Sequence, residues 1–474
     1  MERMNEEEFM IPNVLADRYA STAMRRIWSR EEKIRIERRL WVEIMRLQKG
    51  YGIEITEDQI SSYQRNIEDI DLESIKRRER QLKHDVKARL EEFNALAGHQ
   101  LIHLGMTSRD LTENVEMVQV RESLLLVRSE VVEMINLIGK RARQYQQLVV
   151  VGRSHNVPAQ LTTLGKRLAT IAEELLFALE RMESLMERIP LRGLRGPVGT
   201  AQDIHDLMGS HSLEIDSEMA RSLGFSRILD STGQIYPRSI DFEVVSTLVQ
   251  LAAGPANLAL LVRLMSGAGL LSEGFKEGQI GSSAMPHKVN ARLSERVTGL
   301  CVVLRGHLSM ISEISGDQWN EGDVSCSVVR RVALSDAFFA FDGICATAYA
   351  VLKELEVFET PIQLEVDREL PFIASTKLMT AAIKKGMARE EAYDLLKNYS
   401  LKTLESRRQG LHFDLFGALA DDPNFPLTGQ EIESEVKRMI LVPEVETQIS
   451  RILERINQVV QRLSPISHTF DGVI

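Results

Sequence analysis

The chain has little cysteine, no excess of positive charge and no long unbroken apolar run. Three cysteines in 474 residues, Cys301, Cys326 and Cys345, are odd in number and lack C-x-x-C spacing. Neither a disulfide framework nor a cysteine-ligated zinc site is indicated, and a reducing compartment fits. Lys and Arg number 58 against 68 Asp and Glu, a formal charge of −10, which disfavours nucleic acid or an anionic membrane as the main partner. An anionic substrate must therefore be met by a local cluster of cations. The opening MERMNEEEFMIPNVL is acidic and without an apolar segment of signal-peptide length, and no stretch reaches the roughly 18 to 20 uninterrupted apolar residues of a membrane span. The expectation is a cytoplasmic protein with neither a nucleic-acid nor a membrane partner.

What the chain does have is length and helical periodicity. It exceeds the size at which one core keeps growing, so two or three domains are expected. Residues 1–106 alternate short helical patterns with charged turns; Glu32 to Lys49 carries Leu40, Ile44 and Leu47 on one stripe, and Lys83 to Ala97 carries Val86, Leu90, Phe93 and Ala97. Residues 107–361 are dominated by long amphipathic runs, at 115–151, 159–188, 240–275, 291–314 and 325–357, far beyond the mean helix of about 11 to 12 residues. They predict a bundle of long helices with few strands. Residues 362–474 return to shorter helices and read as a third helical domain. Five long stripes in one chain leave a face to cover, and self-association is the natural remedy.

The breaks between the runs hold most of the reactive residue types. The densest is Gly281 to Asn290, GSSAMPHKVN, which packs two serines, a histidine, a lysine and an asparagine around a glycine and a proline. This is a polar loop mounted on the helical run that follows. A serine there needs activation by its neighbours, and Lys288 with loop amides could stabilise its alkoxide. A serine hydrolase fits badly: no G-x-S-x-G elbow occurs, and the loop leaves a helical region instead of a strand.

The decapeptide resembles the G-S-S-x-M-P-x-K-x-N signature of the fumarase/aspartase superfamily of β-eliminating lyases, and with the flanking GQIGSSAMPHKVN and ARLSERV it is most similar to the adenylosuccinate lyase family. The likeness runs from Arg18 to about Arg331. It implies an all-α, three-domain fold whose long helices form one central bundle in a homotetramer, with each site drawn from three subunits. It also implies carbon-nitrogen cleavage of the amidine-lyase type, releasing fumarate from N6-(1,2-dicarboxyethyl)-AMP and from the succinyl-carboxamide ribotide of purine biosynthesis, with no cofactor and no metal. Sister enzymes such as argininosuccinate lyase or carboxymuconate cycloisomerase would share the chemistry without needing a nucleotide phosphate site, and an inactive helical scaffold is the rival of another class.

The same resemblance assigns roles. RSHNVPAQLTTLGKR (153–167) is similar to the family's G-R-T-H-x-x-P-A-Q, with Ser154 in place of threonine, and makes His155, in a turn just before a long helix, the general acid. By itself an imidazole with a pKa near 6.5 is suited to that task at neutral pH. Ser282 takes the place of the general base, with Ser283 as a loop or substrate contact, and Lys288 and Asn290 face the charge that develops on the substrate carboxylate. His84 with Asp85, preceded by Lys83 where the family often has Thr or Arg, corresponds to the second active-site histidine pair, near the substrate phosphate. Thr107 and Ser108, which alone read as a helix cap, match the pair that holds the succinyl carboxylate. Ser325, Ser327 and Arg331 open a long helix, and Ser327 and Arg331 share a face. They resemble the end of E-R-D-x-S-x-S-x-x-x-R, but Gly322 stands where that pattern has arginine, so phosphate binding should lean on Arg331, Arg18 and Tyr19, or Arg330. Gln234 and Arg296 match nucleotide- and carboxylate-contacting positions, and Glu295 would pair with a histidine of the site.

Two weaker patterns read as structural. Gly267 to Gly269 lies in a helical run without a preceding strand and suggests close helix packing instead of dinucleotide binding. His99 and His103 have ligand spacing but no adjoining third ligand type.

Overall fold

The computed structural model describes residues 11–274, 285, 287–439 and 443–463. The chain opens with α1 (Val14–Arg18), α2 (Thr22–Ile27) and α3 (Arg30–Gly50), each capped by a side chain that accepts a first-turn N–H, from Asn13, Ser21 and Ser29 respectively. Next come α4 (Glu57–Arg65), α5 (Leu72–Leu82), α6 (Asp85–Ala97) and α7 (Ser108–Gln144), the hairpin of β1 (Val149–Ser154) and β2 (Val157–Thr163), and α8 (Leu164–Arg188). Shorter α9 (Gln202–Met208) and α10 (Ser212–Ser222) lead to α11 (Ser239–Leu251), α12 (Ala253–Gly267), β3 (Leu271–Ser272), α13 (Arg292–Glu313), α14 (Ser325–Glu354) and β4 (Glu356–Val357). The chain closes with α15 (Glu359–Ile373), α16 (Ser375–Lys384), α17 (Arg389–Arg408), α18 (Leu415–Ala420), α19 (Gly429–Met439) and α20 (Pro443–Leu463).

The bundle is built on α7, α8 and α11 to α14. At about 1.5 Å per residue α7 spans about 55 Å and α14 about 45 Å. α7 buries Leu124, Val127, Val131, Met134, Ile135 and Ile138 fully through its middle, because α3, α8, α14 and α20 all pack on it. α8 starts tightly against the end of α7: a Cβ at Gly165 would stand 2.4 Å from the Ala142 carbonyl oxygen. α14 runs alongside α13 for most of its length and buries Phe338, Phe341, Ile344 and Cys345. A second core, from Ala374 to Ile432, is separate from this one, whereas α20 returns to the bundle through Ile449, Ile452, Leu453 and Ile456.

Three expectations need correction. The run at 159–188 is helical only from Leu164; the β-branched Val149 to Val151 and Thr162 to Thr163 form the antiparallel hairpin instead, Val149 facing Thr163 and Ser154 facing Val157. His155 therefore sits at a hairpin tip, a whole strand ahead of the helix. The run at 240–275 is two helices divided at Ala252, with Pro255 in the first turn of α12, where a proline does least harm. Gly267 to Gly269 is the end of α12, which Gly269 terminates with φ +72°, and no described residue lies within 4 Å of a Cβ placed at either glycine. By length and composition Ser239–Gly267 and Ser325–Glu354 could each cross a bilayer, but 78% of the apolar window of α14 is buried inside the fold.

The bundle has two chemically distinct ends. The starts of α7 and α14 and the turn between α5 and α6 form one. The hairpin, the β3–β4 ladder and the start of α13 form the other.

Candidate active site

At the first end a cavity of about 670 Å³ opens between three helix starts. Lys83 closes α5 in a left-handed conformation, φ +56°, and His84 caps α6, its Nδ1 accepting the Lys87 N–H at 3.3 Å. That leaves Nε2 as the nitrogen available to a ligand. Asp85 lies 3.7 Å from His84 and also binds Arg89; burial alone would raise its carboxyl, but Arg89 holds it below the ordinary value. Thr107 caps α7 by a reciprocal exchange with Asp110, the Thr107 N–H donating at 2.7 Å. Ser108 follows it on the cavity wall, and Ser327 and Arg331 come from the first two turns of α14. Arg331 is exposed and makes no ion pair with a described residue.

The wall behind the cavity is a buried ion network. Asp110, fully buried, accepts from Arg192 and from the N–H groups of Arg195 and Gly196, at 2.8 and 3.0 Å. Arg330, which the sequence offered as a phosphate ligand, also lines the cavity but is tied into a buried network: it is 5% exposed and is held by Asp241 at 2.7 Å, by Glu116 and by the Tyr236 hydroxyl. It braces α14 and is not free for substrate. Gln234 lies behind the same end, its N–H donating to the Glu321 carbonyl at 2.6 Å, but it does not line the cavity.

At the other end, His155 and Asn156 are the two residues of the hairpin turn, with φ +52° and +62°, the geometry that matches the twist of the flanking strands. The imidazole is exposed at the tip. Arg153 ties the hairpin to Glu365, and Arg167 donates to the Val151 carbonyl at 2.7 Å. Ser282 and Ser283 lie outside the described residues. The described residues on either side are packed. Gly274, φ +82°, sits against Glu354, where a Cβ would be 2.5 Å from the carbonyl oxygen. Glu273 accepts the N–H groups of Leu293 and Ser294, capping α13 from outside the helix. Lys288 and Glu295 are exposed and Asn290 is half-buried; Glu295 makes no ion pair with a described residue, so the expected histidine contact is not made within one chain.

Arg18, Tyr19 and Arg296 form a third group part-way along α14. The Arg296 guanidinium lies 5.7 Å from the centre of the Tyr19 ring, and Gly343 on α14 leaves room for Tyr19, whose Cβ would be 2.8 Å from a side chain there. Neither Arg18 nor Tyr19 lines the cavity that holds Arg331. The fold thus gathers Lys83, His84, Asp85, Ser108, Ser327 and Arg331 in one place, and none of His155, Lys288 and Asn290 lines that cavity. Arg109, which the sequence reading passed over, also lines the cavity; its only signal was its place between Ser108 and Asp110, four residues before Glu113. Among the described residues no cluster of three or more His, Cys, Asp or Glu could hold a metal ion, and His103 instead accepts the Trp41 indole N–H at 3.1 Å.

Residues 22–306 match a family model described as lyase, and residues 371–452 match one described as adenylosuccinate lyase C-terminus. Curated adenylosuccinate lyases are similar over nearly the whole chain. The Saccharomyces cerevisiae protein is 31% identical over 452 residues, 93% of each chain. The Schistosoma mansoni protein is 32% identical over 87% of this chain and 88% of its own. Among solved structures, a 3-carboxy-cis,cis-muconate lactonizing enzyme from Pseudomonas putida superposes with a TM-score of 0.81 at 18% identity, covering 94% of this chain and all of the other. A fumarate lyase from Mesorhizobium gives 0.80 at 19%, covering 94% and 99%. At such identities the structures establish the fold alone, while the sequence matches go further: the chain is a lyase that belongs to the adenylosuccinate lyase family of the fumarase/aspartase superfamily.

Proposed function

We propose that the chain cleaves N6-(1,2-dicarboxyethyl)-AMP to AMP and fumarate, and the succinyl-carboxamide ribotide in parallel, by general acid-base β-elimination in a homotetramer. The reading rests above all on the cavity in which Ser327 and Arg331, unpaired among the described residues, meet Ser108 and His84 at adjoining helix starts. Helix starts favour anions, and a guanidinium with a hydroxyl one turn away suits a phosphate. The substrate phosphate binds at Ser327 and Arg331, and a succinyl carboxylate binds at Thr107 and Ser108. Ser282 removes the proton from the carbon next to that carboxylate. The electron pair forms the carbon-carbon double bond of fumarate as the C–N bond breaks, and His155 protonates the departing nitrogen. Lys288 and Asn290 stabilise the carbanionic charge before it collapses. Acid and base each contribute about 10²- to 10⁴-fold.

Assembly supplies what distance denies. A neighbouring copy packed antiparallel brings its hairpin and signature segment to the cavity of the first. Leu260 and Leu264 on α12 and Val302, Val303 and Met310 on α13 are exposed apolar residues suited to that contact. The test is the ultraviolet change on incubation with adenylosuccinate, with fumarate measured independently. Turnover of argininosuccinate or a carboxymuconate instead would reassign the chain within its superfamily, and no fumarate from any of them would remove the enzymatic reading.

A further inference from the structure

The cavity that would take the phosphate is short of free cations. Arg330 is consumed by Asp241 and Glu116, and Lys33 is paired with Glu116 at 3.3 Å. Among the described residues that line the cavity, Lys83 and Arg331 are the cations without an ion pair, and both are exposed, a thin counterion for a phosphate dianion. The loop before α14 offers no help, because Gly322 has φ +141° and a Cβ there would lie 3.1 Å from Ile235 Cγ1 and 3.4 Å from the Gln234 Cβ. A side chain at that position would be strained on its backbone and pressed against residues 234 and 235.

Arg109 reaches the same place from across the cavity. It is the second residue of α7, its side chain is 14% exposed, and its Nη2 donates to Ser327 Oγ at 3.0 Å. Its Nη1 rests on Glu113 at 3.0 Å. Glu113 does not depend on it, since that fully buried carboxylate also accepts from Arg238 at 2.8 Å and from the Tyr236 N–H at 3.2 Å. The Glu113 contact therefore orients the guanidinium, which has five donors to distribute, and leaves its charge available beside the Ser327 hydroxyl.

We infer that Arg109 is a substrate-binding residue which, with Arg331 and Ser327, closes on the phosphate of the bound nucleotide. This rests on the phosphate entering this cavity, as proposed above. The test compares AMP with adenosine, which lacks the phosphate, by calorimetric binding to the assembled protein and its Arg109→Met variant. A lost charged contact is worth about 10- to 100-fold in affinity. AMP binding should weaken by that factor while adenosine binding stays within about twofold. Arg109→Lys, which keeps charge without the fork, should recover part of the loss. Ser327→Ala separates direct contact from positioning: adding Arg109→Met to it must weaken AMP further, and no further loss would show that Arg109 acts only through the serine. Equal weakening of AMP and adenosine, or of neither, overturns the inference. A parental protein that binds AMP but releases no fumarate from adenylosuccinate would instead defeat the catalytic reading and leave this result standing.

Discussion

Two inactive variants should restore each other when mixed. Gly274, at the start of the signature segment, abuts the last turn of α14, while Ser327 and Arg331 occupy its first two turns; the 27 residues from Ser327 to Glu354 put about 40 Å between these groups within one chain. No side chain spans that gap, and the proposed site combines the hairpin and signature segment of one copy with the cavity of another. Removing the imidazole by His155→Ala should cost about 10²- to 10⁴-fold, and Arg331→Ala about 10- to 100-fold in kcat/KM through the lost phosphate contact. In randomly mixed tetramers each site takes its hairpin and its cavity from different copies, so about one site in four receives both intact parts. The mixture, assayed at low substrate after subunit exchange, should therefore reach about a quarter of parental activity. Mixed tetramers, verified by mass, that gain nothing over the better parent would refute the two-copy site.

Two further outcomes concern stability. Asp110→Ala strands the fully buried Arg192 guanidinium and removes the acceptor of three backbone N–H groups, those of Thr107, Arg195 and Gly196, so denaturant unfolding should show a loss of about 3 to 5 kcal/mol per chain; a loss under about 1 kcal/mol would mean that the network is not structural. Burial pushes the His103 imidazole down to about 4, and its Nδ1 must stay unprotonated to accept from Trp41. A depressed histidine contributes stability above its unfolded pKa near 6.5 that is lost as pH falls through the folded value, a span worth about 3 kcal/mol. Acid titration of folding stability should show that loss between pH about 6.5 and about 4, and His103→Gln should flatten it; identical profiles would contradict the assignment.

How much of this was legible beforehand follows from the kind of signal each part carries. The helical runs read at 115–151, 291–314 and 325–357 announced themselves because an apolar period is sustained over so many residues, although the first helix occupies 108–144 and the end of that run is strand. Thr107 was legible as a cap, since a hydroxyl just before the helix and an acid three residues on form a local motif. The hairpin was missed: Pro158 looked like punctuation before a helix, and the strands depend on cross-strand pairing that sequence spacing does not display. Arg330 and Arg331 are neighbours of one chemical type and both line the cavity, yet a step of about 100° around α14 gives Arg330 the carboxylates of the ion network and leaves Arg331 without an ion partner among the described residues. Arg109 stayed hidden because its partner, Ser327, is 218 residues away.

The most direct measurement is a crystal structure of the assembled protein with AMP and fumarate bound. The account places the AMP phosphate on Ser327 and Arg331 of one copy, and the imidazole of His155 from a different copy within hydrogen-bond reach of the adenine amino group. A nucleotide seated away from the Ser327 and Arg331 cavity, or an adenine amino group beyond the reach of every His155, would contradict it.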